Sequence, residues 1–282
     1  MNSDNLFRFL FQNRNVRGEL VQLADSLDKM LLNHNYPLPV KQLLAELVAA
    51  TSLLTATLKL DGDIAVQLQG DGPVRFAAVN GTDQQQFRAV VRMQAEISGA
   101  NFRELIGEGY LVVTITPKQG ERYQGIIPLS GDSLTSTLEA YFAQSEQLPT
   151  RLYLYTDIQQ QHCRAAGFML QVLPVEQHKA KADFDDLVML SDTLTKDEML
   201  QLPAEQLLYR LFHQETVELF PSQQVSFVCG CSREKCASAI VSLGVDVINE
   251  HIAEGKLDIS CEYCNSTYHF NTADLAELLK QL

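Results

Sequence analysis

The alternation of apolar and polar positions changes character twice along the chain, and three segments result. In residues 1–174, strand-like and helix-like patterns are mixed. Residues 16–23 alternate like a half-buried strand. Residues 39–58 place Leu43, Leu44, Leu47, Leu54 and Leu58 at helical spacing. Residues 64–69 and 74–79 read as two strands joined by Gly70-Asp71-Gly72-Pro73, where glycine supplies the positive φ that tight turns ask for. Further strands are expected over 87–93, 109–116, 123–129, 151–156 and 167–173, with a helix over 133–147. Strands outnumber helices and hairpin-like links dominate, which predicts antiparallel sheets and an α+β class.

Residues 175–220 look different. They hold no β-rich run and no glycine, and carry ten acidic against four basic side chains. Apolar residues recur at Phe184, Leu187, Val188 and Leu190, and again at Leu207, Leu208, Leu211 and Phe212. Short amphipathic helices follow, one opened by Pro203. Helices of this length are marginal alone, so they need a surface to lie on. Sequence admits two readings, a plain helical connector and a linker balanced between docked and undocked states.

Residues 221–282 hold five of the six cysteines. Ser232 is a candidate N-cap for a helix ending at Gly244, and a second helix can end at Gly255. Asn271 is a candidate N-cap with Asp274 in the first turn, and Phe270 can staple against Leu275. A module of about sixty residues buries little core and usually needs its metal to fold.

Composition narrows the function classes. The chain has 282 residues, 46% of them hydrophobic, and a formal net charge of −13. Residues 221–282 carry four basic against eight acidic side chains, which counts against a nucleic-acid-binding zinc ribbon. The N-terminal patch lacks the charged start and long apolar run of a signal peptide. No stretch is expected to approach the ~20 apolar residues of a bilayer span. Cysteines at metal spacing fit a reducing compartment, so a cytoplasmic protein with neither membrane nor nucleic-acid partner is expected.

The chemistry concentrates at Cys229-Gly230-Cys231 and Cys261-Glu262-Tyr263-Cys264. Two close cysteine pairs separated by an intervening loop can present four thiolates tetrahedrally to one Zn²⁺. The second pair lies between two strand-like runs, 256–260 and 266–270, in the form of a knuckle hairpin. Cys236 reads as a buried structural thiol or as a ligand in place of Cys229, and spacing admits both. His269 is near the knuckle, but four cysteines already fill the tetrahedron. Cys163 stands apart in the first segment. Zn²⁺ with four thiolates is formally about −2, a charge that Arg233 and Lys235 are placed to offset. The thiolates stay open to oxidants, so the site can be both structural and switchable.

Around these residues the chain resembles the redox-regulated heat-shock chaperones, the thirty-three-kilodalton chaperonin family. That family's Cys-x-Cys and Cys-x-x-Cys pairs match Cys229/Cys231 and Cys261/Cys264. The blocks Gly70-Asp71-Gly72-Pro73-Val74, 141–150 and 166–174 extend the likeness over nearly the whole chain. The resemblance implies an ATP-independent holdase of the bacterial cytoplasm, inactive while reduced and zinc-bound. It implies that oxidation pairs Cys229 with Cys231 and Cys261 with Cys264 and releases the single, regulatory Zn²⁺. The C-terminal module and linker then unfold, and an oxidised homodimer holds unfolding client proteins. An enzyme is the weaker reading: His-Glu-x-x-His, Gly-x-Ser-x-Gly and Walker patterns are all missing. The remaining alternative is a zinc-containing protein-binding module without redox control.

Overall fold

The computed structural model describes residues 4–57, 61–129, 131–174 and 177–282. Met1, Leu58 and Val175, which figure in the expected segment and helix boundaries, lie outside the described residues. The chain forms two compact units, residues 1–227 and 228–282. The division falls seven residues after the expected module start at Pro221, because residues 223–227 pair with strands of the first unit.

In the first unit, strands β1 (Asn5–Phe11) and β2 (Val16–Leu23) are followed by helices α1 (Asp25–Leu31) and α2 (Leu38–Thr57). Then come β3 (Gly62–Gly70), β4 (Val74–Thr82), β5 (Gln86–Met93), α3 (Phe102–Ile106), β6 (Gly109–Pro117) and β7 (Tyr123–Pro128). Helix α4 (Leu134–Tyr141), capped by Ser133, runs into a π-helical turn over Phe142–Glu146 before β8 (Thr150–Ile158) and β9 (Cys163–Val172). One sheet has the order β10-β1-β2-β9-β8; the other has β12-β5-β4-β3-β6-β7, where β10 (Val217–Leu219) and β12 (Ser226–Phe227) come from farther along the chain. Pairing is antiparallel except for the short β12–β5 contact. The fold is α+β, as the patterning implies.

Helix α2 lies in the core with both sheets. Leu44, Leu47, Val48 and Leu54 share one cluster with Val21 and Met169 of the first sheet and Val66, Val79 and Val113 of the second. Contrary to the sequence expectation, α2 is long and apolar enough to span a bilayer by length and composition. However, 72% of its window is buried inside the protein, so its apolar surface is already used in the core. The turn after β3 also departs from expectation. Neither Gly70 nor Gly72 has a positive φ. They are needed for close approach instead, since a Cβ would meet the Ile106 carbonyl oxygen at 2.0 Å from Gly70 and the Ile106 carbonyl carbon at 2.6 Å from Gly72.

The other face of the first sheet carries the linker helices α5 (Gln177–Ser191), α6 (Lys196–Gln201) and α7 (Ala204–Phe212). Phe184, Leu187, Leu207, Leu208, Leu211 and Phe212 pack there against Phe9, Phe11, Leu20 and Phe168. Leu190, expected on the apolar face, is exposed. Polar clamps reinforce the packing. Gln22 Nε2 donates to the Met199 and Leu202 carbonyls at 2.8 and 2.9 Å. Arg14 binds Asp183 at 2.7 Å and Glu215 at 2.9 Å, so the β1–β2 turn grips both ends of the helical stretch. The segment also contains a strand that patterning misses: β10 pairs antiparallel with β1, followed by β11 (Gln223–Gln224) on the same strand.

Glu19 on β2 is 2% exposed. Its Oε1 is 3.8 Å from Arg17 Nε, and Oε2 has no hydrogen-bond partner among the described residues. Burial pushes this carboxyl up to about 7, against the pull of Arg17 and Arg8. Between about pH 4.5 and 7 the folded protein therefore holds a proton that the unfolded chain has lost, and stability declines as pH rises through that window. Glu19→Gln should stabilise the protein at pH 8 by on the order of 2 kcal/mol and change little at pH 4. Thermal unfolding of both variants at the two pH values checks this; an equal gain at each would defeat it.

Candidate metal centre

The second unit is built from α8 (Arg233–Ser242), α9 (Val245–Glu254), β13 (Lys256–Ser260), β14 (Thr267–Asn271) and α10 (Thr272–Leu279). Its local signals are realised. Ser232 accepts from Lys235 N to cap α8, and Gly255, at φ 91°, ends α9. Asn271 and Asp274 form a capping box at the start of α10. Phe270 and Leu275 share a small cluster with Ile240, Ile248 and Leu278.

Strands β13 and β14 pair in register from Lys256↔Asn271 to Ser260↔Thr267, which leaves residues 261–266 as the knuckle. Cys261 N donates to the Ser266 carbonyl and Asn265 N to the Cys261 carbonyl; Asn265 takes φ 58° to complete the turn. Cys229 and Cys231 approach on the short stretch before α8, where Lys235 Nζ binds the Gly230 carbonyl. The four Sγ atoms of Cys229, Cys231, Cys261 and Cys264 all lie within 4.8 Å of one another. Cys229 and Cys261 are 3.6 Å apart, and Cys231 and Cys264 3.4 Å. Sulfurs 2.3 Å from a tetrahedral ion would be about 3.8 Å apart, so the four-cysteine cluster is able to hold a metal ion.

Burial pushes the Cys229 and Cys261 thiols up, only partly countered by nearby backbone N–H groups. Cys264 goes the other way. Desolvation raises it, but its hydrogen bonding with Ser266, Cys231 and Cys229 outweighs that and holds it at about 7. Cys231 Sγ accepts a hydrogen bond from the Tyr268 hydroxyl at 3.1 Å.

The neighbours take other places. Cys236 packs beside the hydrophobic cluster and does not join the four-sulfur group. His269 Nδ1 sits 2.7 Å from Asp258. Cys163 is buried at the start of β9 in the first unit. Arg233, expected to offset the thiolate charge, bonds Asp274 at 2.8 Å and lies 4.4 Å above the Phe270 ring. Residue spacing alone does not reveal Tyr268 and Ser266 as thiol partners. The available signal is the strand alternation that puts Tyr268 and Phe270 on the inward face of β14.

The model of the Hsp33 protein family matches residues 4–271. A 33 kDa chaperonin of Pseudoalteromonas translucida is 50% identical over 279 residues, covering 99% of each chain. One from Salmonella typhimurium is 52% identical over 277 residues, covering 98% of this chain and 94% of its own. A crystal structure of the 33 kDa chaperonin from Thermotoga maritima shares the fold with a TM-score of 0.84 at 22% identity, covering 99% of this chain and 98% of that one. The chain belongs to the Hsp33 family of 33 kDa chaperonins, chaperones rather than enzymes, and carries a four-cysteine cluster able to hold a metal ion.

Proposed function

We propose that the chain is a redox-regulated, ATP-independent holdase of the cytoplasm whose four-cysteine cluster holds one Zn²⁺ while the protein is reduced and inactive. The observation that carries this reading is the sulfur cluster at the end of a unit whose hydrophobic core has only five buried side chains. An all-thiolate donor set suits zinc, and four thiolates leave no open position for catalysis. Bound zinc would supply the cross-link that so small a core lacks.

Oxidation is proposed to join Cys229 to Cys231 and Cys261 to Cys264. The thiolates are then no longer available as ligands, and residues 228–282 lose their fold. The linker, residues 175–220, is proposed to follow. Its helices lie on the first sheet through Phe184, Leu207, Leu211 and Phe212, and undocking would bare both their apolar face and the sheet beneath. Unfolding client proteins would bind there, with the oxidised chain acting as a homodimer. The acidic side chains of the linker would keep the opened form soluble.

A light-scattering assay with a thermally unfolding client tests the switch, with zinc and free thiols counted in parallel. Oxidised protein should suppress aggregation without ATP, and reduced protein should not. Equal activity in both states would instead support a constitutive protein-binding module.

A further inference from the structure

Two of the four sulfurs are hydrogen-bonded by a side chain other than a cysteine. Cys264 is bonded within its own knuckle, its Sγ 3.3 Å from the Ser266 hydroxyl. Cys231 is bonded by a side chain 37 residues away, the Tyr268 hydroxyl at 3.1 Å. That hydroxyl is not free to wander. Tyr268 faces inward on β14, packs against the Ile240–Phe270 cluster, and is registered opposite Ile259 of β13. The ring is thus held by the module's core while its oxygen reaches the metal ligand.

We propose that Tyr268 is a positioning residue for Cys231, fixing its thiolate for the metal and restraining its attack on oxidants. This deepens the metal-switch reading above and rests on it. A hydrogen bond to a thiolate occupies a sulfur lone pair and draws electron density away, which lowers nucleophilicity. Partners behind metal ligands commonly change metal affinity 10- to 100-fold when removed. The restrained step is the reaction with a hydroperoxide. The Cys231 thiolate attacks one peroxide oxygen, the O–O bond breaks, and hydroxide or alkoxide leaves. The Cys229 thiolate then attacks the sulfenic sulfur, forming the S–S bond and releasing a second hydroxide. Two electrons pass from the thiolates to the peroxide.

The test uses full-length protein and Tyr268→Phe, which keeps the ring and removes the hydroxyl. Zinc content of the unaltered chain is measured first, then zinc retention against a chromophoric chelator and release under peroxide. Tyr268→Phe should hold zinc about 10-fold less tightly and lose it faster to peroxide. Alkylation of the zinc-loaded protein, mapped by mass spectrometry, separates positioning from general loosening. Cys231 should gain reactivity selectively in Tyr268→Phe. In Ser266→Ala, which removes the hydroxyl 3.3 Å from Cys264, the gain should fall on Cys264. A uniform rise at all four cysteines, or unchanged zinc retention and Cys231 reactivity, overturns the proposal. An unaltered chain that binds no zinc removes the metal reading and this inference together, whereas zinc binding insensitive to Tyr268 removes only the inference.

Discussion

If the four-cysteine cluster holds zinc as proposed, withdrawing the ion from the reduced protein should unfold residues 228–282 while the two large sheets remain intact. The reason is the disparity between the units. The first has an extensive core with α2 between its sheets; the second has five buried core side chains and a two-stranded hairpin. Structural zinc contributes roughly 10–16 kcal/mol of apparent binding, as much as the whole stability of an ordinary domain. The cluster also joins the stretch before α8 to the β13–β14 knuckle, contacts far apart in sequence that are costly to hold without the ion. Hydrogen exchange with and without chelator reads the result directly. Amides of α8, α9, α10 and β14 should lose protection, while those of β3 and β6 keep it. Retained protection in α10 after complete zinc removal would contradict the expectation.

Phe212→Ala should loosen the linker without any oxidant. Phe212 ends α7, is 2% exposed, meets Phe11 edge-on at 4.9 Å and stacks near Phe168 at 6.3 Å. Its truncation opens a cavity between linker and sheet, a change that costs about 3–5 kcal/mol in a well-packed core. That loss falls on docking, because the strands that carry Phe11 and Phe168, β1 and β9, stay paired with β2. Exchange should accelerate in α5 to α7 more than in β8 and β9. The reduced variant should also acquire part of the aggregation-suppressing activity proposed for the oxidised protein. A reduced variant with linker protection equal to the unaltered chain would refute the assigned role of this contact.

Much of the fold can be read from local pattern, and the exceptions share a cause. Helix α2 follows from leucines at helical spacing, and the module's helices from Ser232, Gly255 and Asn271, because capping and periodicity act over a few residues. The gathering of Cys229, Cys231, Cys261 and Cys264 follows from pair spacing and the hairpin around the knuckle. What escaped depends on partners distant in sequence. Strand β1 reads only as an apolar patch until β2 and β10 flank it. The glycines before β4 are demanded by Ile106, not by their own turn. The linker's hold on the sheet rests on Arg14, Gln22 and Phe168, none of which lies in the linker. Tyr268 is a thiol partner only because β14 returns beside β13.

The last strand of the linker and the two short strands after it do more than connect the units. Val217–Leu219 and Gln223–Gln224 lie along β1, and Ser226–Phe227 along β5, so eleven residues of chain close an edge on each of the two sheets. If this strip peels away, main-chain donors and acceptors of β1 and β5 are left unpaired at the same moment. Such borders accept any extended backbone, whatever its side chains. The opened protein would then offer its clients two hydrogen-bonding seams besides an apolar face, and their indifference to sequence suits a chaperone that must receive many different unfolding chains.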